Sequence, residues 1–114
     1  MQFTESLKLN HVFRRLYAKG ESAVGGFFVV YCRRNGLREN RLGLTVSTKL
    51  GKAVLRNRAR RRLRELYRLN EPKLKRGYDV VIVARSRCVD APFSELQAAF
   101  LRQCARLSLL RETP

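Results

Sequence analysis

One histidine and nine acidic side chains are a thin supply of acid–base groups for a chain of 114 residues. His11 falls beside the expected cap of a first helix, the position of a surface residue rather than of a general base. The acids are scattered as Glu5, Glu21, Glu39, Glu65, Glu71, Asp79, Asp90, Glu95 and Glu112. Nothing in that spacing resembles a carboxylate pair or a DxD motif that would hold two catalytic metal ions. Walker and GxGxxG loops are absent as well. No catalytic or metal-ligating constellation is therefore expected, and binding is the activity the residues support.

Cysteine is equally sparse. Cys32, Cys88 and Cys104 are odd in number, far apart and in no CxxC pair, which argues against a disulfide framework or a zinc site. Cys32 ends an apolar strand and Cys104 falls on an apolar helix face, so small core residues in a reducing cytoplasm are expected. No stretch approaches the roughly 20 apolar residues of a transmembrane helix. Met1 to Asn10 has no apolar run and carries Glu5, unlike a secretory signal. A cytoplasmic location with no membrane partner is the expectation.

Positive charge is what the chain has in excess. Its 25 lysines and arginines give a formal charge of +16, yet 45% of its residues are hydrophobic. That is too apolar for a disordered chain. A single folded domain spanning 1–114 is expected, with nucleic acid as the leading partner and an anionic membrane surface as the weaker alternative.

The charge is concentrated between Lys49 and Arg68, where Glu65 is the only acid among nine basic residues. Such a helix alone would repel itself, which points to a polyanion lying against it. Arginine's planar fork suits phosphate oxygens. At roughly 100° per residue, Leu55, Ala59, Leu63, Leu66 and Leu69 share one side, with Tyr67 at its border. Asn57, Arg60, Arg61, Arg64 and Arg68 gather opposite, Arg58 and Arg62 lie on a flank, and Arg56 falls near the apolar border. A leucine seam distinguishes this segment from a basic disordered tail and would hold the arginines outward at fixed spacing.

Around it the chain reads α-β-β-β-α-β-α. Asn10 as a cap and Gly20 as a stop bracket a helix over His11 to Lys19. Residues Ser22 to Arg33 are β-rich, with Gly25-Gly26 as a bulge or a break. Arg33 to Asn40 forms a turn, and Arg41 to Ser47 alternates, with Leu42, Leu44 and Val46 on one face. After the arginine helix, Tyr78 to Ala84 is apolar enough for a buried central strand. Asp90 or Ala91 caps a last helix, with Pro92 in its first turn and a stripe of Phe93, Leu96, Phe100, Cys104 and Leu107. Two or three helices on one face of a four-stranded mixed sheet make an α+β two-layer sandwich.

The short first helix pairs Val12 with Leu16 and Phe13 with Tyr17. Phe27, Val29, Tyr31 and Arg33 share a strand face. If the helices leave that face partly open, Phe13, Tyr17 and Tyr31 can stack on unpaired bases; if they close it, the three are ordinary core.

In this order, Arg41-Leu-Gly-Leu-Thr-Val-Ser47, Lys49, Gly51, Ala53-Val54, Arg56-Asn57-Arg58, Arg60-Arg61 and Arg64-Glu65 resemble the signature of the bacterial ribonuclease P protein subunit. The resemblance runs the length of the chain. It takes in the Phe13/Tyr17 helix before a glycine, the Phe28-Val-Val-Tyr31 strand and the Asp79–Arg85 strand before a last helix. It implies a left-handed βαβ connection, where chain order alone favours a right-handed one. It implies a ribonucleoprotein endoribonuclease in which the RNA subunit, holding magnesium ions, removes the 5′ leader of precursor tRNA, with no protein partner required. Lys49, Lys52, Arg56, Asn57, Arg58, Arg60, Arg61, Arg64 and Arg68 would then bind RNA. Phe13, Tyr17, Tyr31, Thr45 and Ser47 would line a leader cleft between the first helix and the sheet. Thr48 stands where a second lysine is common, only Lys8 precedes the first helix, and Arg111 to Pro114 form no basic tail, which weakens peripheral contacts. The competing reading is a small basic ribosomal or other structural RNA-binding protein. A DNA-binding reading lacks a helix-turn-helix partner for the arginine helix.

Overall fold

The computed structural model describes residues 1–112 and orders them as β1 (Thr4–Ser6), α1 (Asn10–Lys19), β2 (Glu21–Val24), β3 (Phe28–Arg34), β4 (Asn40–Thr45), α2 (Ala53–Asn70), β5 (Tyr78–Ala84) and α3 (Phe93–Arg106). The strands form one sheet in the order β1-β4-β5-β3-β2. The apolar run of β5 takes the centre, parallel to β4 and antiparallel to β3. Because strand side chains alternate, Val80 and Ile82 face one core while Val81 and Val83 face another. No helix among the described residues is long and apolar enough to cross a membrane.

The sheet has five strands where four were expected. The additional β1 has the polar sequence Thr-Glu-Ser, with no hydrophobic alternation to reveal it. Tertiary contacts hold it. It pairs in parallel with β4, Thr4 opposite Asn40 and Ser6 opposite Leu42, with buried Phe3 and Leu7 on either side. Buried Glu71 accepts the backbone N–H groups of Gln2 at 2.6 Å and Phe3 at 3.3 Å. Desolvation pushes this carboxyl up, but the Thr4 hydroxyl and the two N–H donors outweigh it and hold the group below its ordinary range.

The helices divide two to one. α2 and α3 cover the larger core, while α1 lies across the opposite face with Val12 and Leu16 buried against Val81. The Gly25-Gly26 break separates β2 from β3, and Phe27, expected beside Tyr31, instead packs against the larger core with the Arg87 guanidinium 5.2 Å from its ring. Asn10 is the first residue of α1 rather than its cap; Leu9 holds that position without a side-chain bond. Pro92, not Asp90 or Ala91, caps α3.

The seam of α2 is rotated from its expected position. Ala59, Leu63, Leu66, Tyr67 and Asn70 are buried, whereas Leu55 and Leu69 are 40% and 47% exposed. Tyr67 draws the helix round. Its ring meets Phe100 at 6.4 Å between centroids, and its hydroxyl lies 2.9 Å from Thr4 Oγ1 and accepts from Asn40 Nδ2 at 3.2 Å. A buried phenol needs such partners, so the hydrogen bonds fix the rotation as firmly as the leucines do.

Candidate nucleic-acid interface

The rotation of α2 determines which of its cations face water. Asn57, Arg58, Arg61, Arg64 and Arg68 are exposed, as are Lys49 and Lys52 ahead of the helix, while Arg56 and Arg60 are half-buried. The first turn holds no acid to offset them, and the helix N-terminus adds its own partial positive charge. The arginines then part company. Arg62 is committed to the fold: its guanidinium donates to the carbonyls of Cys88 at 2.8 Å, Val89 at 2.7 Å, and Ala91. Arg68 grips Glu65 at 2.9 Å, and that hydrogen-bonded pairing lowers the Glu65 pKa. Arg58 lies 3.9 Å from exposed Asp90, a contact of little strength. Arg60 donates to Asn57 Oδ1 at 3.2 Å. Arg61 and Arg64 make no ion pair among the described residues.

The second half of the candidate interface lies on the face covered by α1. Phe13 and Tyr17 rings are 6.5 Å apart, and Tyr17 meets Tyr31 of β3 edge-on at 5.1 Å. The Tyr17 and Thr45 hydroxyls are 2.6 Å apart. Tyr17 is 42% exposed, and Phe13 and Tyr31 are only partly covered. The structure thus brings Phe13, Tyr17, Tyr31 and Thr45 together. Ser47 is engaged elsewhere, where its Oγ accepts the Lys49 N–H at 3.1 Å and starts the 3₁₀ turn Thr48–Leu50 that leads towards α2.

Gly43 sets the depth of this face. A Cβ built on it would lie 2.4 Å from Phe13 Cζ, so only glycine lets the ring rest on the sheet. Beside it opens a cavity of about 490 Å³ whose lining includes Phe13, Gly43, Leu44, Arg60 and Arg64. It joins the aromatic face to the arginine face round the edge of β4. Sequence reasoning missed this junction, because the residues meet only once β4 is placed between α1 and α2. A second cationic group was also missed. Arg15, Arg33 and Arg34 line a hollow of about 140 Å³ above Asp79, which is itself held by Arg41 at 2.7 and 2.8 Å and by Asn35 at 3.1 Å. Single arginines outside a periodic run give no sequence signal.

The donor set does not suit a resident magnesium ion. Asp79, Glu71 and Glu65 are engaged as described, and no three His, Cys, Asp or Glu residues among those described come close enough to share an ion.

Against known proteins, the family model described as Ribonuclease P matches residues 1–108. The ribonuclease P protein component of Alkaliphilus oremlandii is 42% identical over 96% of each chain. That of Clostridioides difficile is 43% identical over 82% of each. The solved Staphylococcus aureus RNase P protein superposes with a TM-score of 0.80 at 31% identity, covering 96% of this chain and 98% of its own. The Thermotoga maritima RNase P protein gives 0.77 at 32%, covering 86% and 93%. On fold and sequence alike, the chain belongs to the ribonuclease P protein component family.

Proposed function

We propose that this protein component, whose family role is 5′ processing of tRNA, works by binding rather than by chemistry of its own. The arginine face of α2, with Lys49 and Lys52, binds the catalytic RNA subunit. Phe13, Tyr17, Tyr31 and Thr45 hold the 5′ leader of precursor tRNA, with Ser47 at the margin. Cleavage belongs to the RNA, which also holds the magnesium ions. The assembly works in the cytoplasm and needs no further protein.

One observation carries this reading: three partly exposed aromatics lie on one sheet face, and an open cavity beside Phe13 leads from it to Arg60 and Arg64. Aromatic platforms beside cations are how proteins hold single strands, since every base offers a π-face and every linkage a phosphate. The test is reconstitution. Purified protein should leave precursor tRNA intact, and adding the catalytic RNA with magnesium should give mature 5′ ends. Mature ends from RNA-free protein would overturn the assignment of catalysis to RNA.

A further inference from the structure

The far end of the sheet carries a separate set of cations. Thr45, on the aromatic face, is opposite Val83, whereas Arg34 closes β3 opposite Tyr78 at the start of β5, roughly 16 Å away along the strand. There a hollow of about 330 Å³ opens among Lys19 at the end of α1, Glu21 of β2, Arg33 and Arg34 of β3, and Lys75 and Tyr78. Buried Cys32 and Leu107 supply the apolar part of its lining. Backbone contacts fix its walls. Glu21 pairs with Cys32, and Ser108, at a left-handed φ of 56°, turns the chain after α3. The Leu109 carbonyl then accepts the Lys75 N–H at 2.9 Å.

Lys19, Arg33 and Lys75 make no ion pair among the described residues. Part of this charge answers the carboxyl ends of α1 and α3, which both close on the hollow and each carry about half a negative charge. With Glu21 they offset about half of the four cations, and the surplus calls for an anion. Arg34 is set for a flat ligand. It donates to the Tyr78 hydroxyl at 3.4 Å and holds its guanidinium 5.9 Å from the ring centre. Guanidinium planes and aromatic rings are surfaces on which bases stack.

We infer that this hollow binds one phosphorylated nucleotide. The base lies against Arg34 and Tyr78, the phosphate among Lys19, Arg33 and Lys75, and a ribose hydroxyl donates to Glu21. The volume falls within the roughly 300–1,000 Å³ of small-ligand sites. A carboxylate beside the cations suits a ribose and disfavours a bare inorganic anion. The chemistry is the same for a free nucleotide and for one residue of an RNA strand. None of these side chains belongs to α2 or to the aromatic face, so the inference stands apart from the leader reading.

The experiment uses holoenzyme reconstituted from the full chain, and its two arms separate the two sources. The first is equilibrium dialysis of 5′-AMP. If the nucleotide is free, wild-type binds one equivalent, and Arg33→Ala and Lys75→Ala each weaken binding about three- to tenfold. Tyr17→Ala leaves it unchanged, and inorganic phosphate competes weakly because it has neither base nor ribose. The second arm measures, across salt concentrations, the affinity of each variant for the catalytic RNA and of its holoenzyme for mature tRNA. If the nucleotide belongs to a strand, one of these affinities falls instead, with a salt slope smaller by about one unit. Lys75→Arg keeps the charge and should keep whichever property Lys75→Ala loses, while the melting temperatures of all three variants match wild-type. Variants equal to wild-type in both arms would overturn the inference. So would AMP binding that Tyr17→Ala abolishes and Lys75→Ala spares, which would place the nucleotide on the aromatic face.

Discussion

Two aromatic clusters lie on opposite faces of the same sheet, and they have opposite fates. Phe28, Tyr67 and Phe100 meet edge-on at 6.3 and 6.4 Å beneath two helices and are fully buried. Phe13, Tyr17 and Tyr31 pack at similar distances, 6.5 and 5.1 Å, beneath one helix of ten residues. Residue type is the same on both faces. What differs is how much chain remains to cover them. A short helix buries one i,i+4 pair, here Val12 and Leu16, and leaves the neighbouring pair at the opening. An open aromatic face on this sheet is the consequence of an incomplete layer.

The contrast should be most visible in stability. Phe100→Ala removes a fully buried ring and should cost about 3–5 kcal/mol of folding free energy. Tyr17→Ala, 42% exposed, should leave the melting temperature nearly unchanged. Denaturant melts of both variants check this, and equal losses would mean that the two clusters are one kind of core.

Gly43 extends the contrast to the backbone. Gly43→Ala places a methyl group against the Phe13 ring and should cost about 1–3 kcal/mol by overpacking. Added to Phe13→Ala, the same methyl should cost almost nothing, because the ring it strikes is gone. A double-mutant cycle in thermal unfolding measures the coupling. Additive losses would show that Gly43 is needed for some other contact.

Charge on α2 divides in the same way. Arg62→Ala should weaken folding by about 1–3 kcal/mol, since three loop carbonyls lose their donor, and should leave the salt slope of RNA binding alone. Arg61→Ala should do the reverse, with a slope smaller by about one unit and an unchanged melt. The least of these effects concerns acid. Glu71 is held below its ordinary range in the fold, so its contribution is present above the unfolded carboxylate pKa, near 4.3. It is lost as pH falls through the lower folded value. Glu71→Gln should therefore narrow the stability gap to wild-type as pH is lowered from 6 to 3, read by melts across that range.

Much of this was legible in the sequence for physical reasons. The arginine helix announced itself because leucines and arginines recur at the period of a helix, and β5 because a central strand is apolar on both faces. The rest depended on partners far along the chain. Thr4, Glu5 and Ser6 form a strand because β4 offers an edge and Glu71 takes two N–H groups. Leu55 and Leu69 lost their places in the seam because the Tyr67 hydroxyl needed Thr4 and Asn40. The aromatics could be recognised as a group, but whether they were core or cleft turned on which face α1 would cover. Arg60 and Arg64 approach Phe13 only around the β4 edge, which no local pattern describes.

If the cluster under α1 serves a ligand and the cluster under α2 and α3 serves the fold, RNA affinity and folding stability must separate. The decisive experiment is the affinity of Phe13→Ala and Tyr31→Ala holoenzymes for leader-bearing precursor tRNA and for mature tRNA, measured beside thermal unfolding of the free proteins. The expected loss is about 1–3 kcal/mol per stacked base on the precursor and none on mature tRNA, which has no leader to hold. Equal losses on both RNAs, with a large drop in melting temperature, would refute the distinction and return these aromatics to the core.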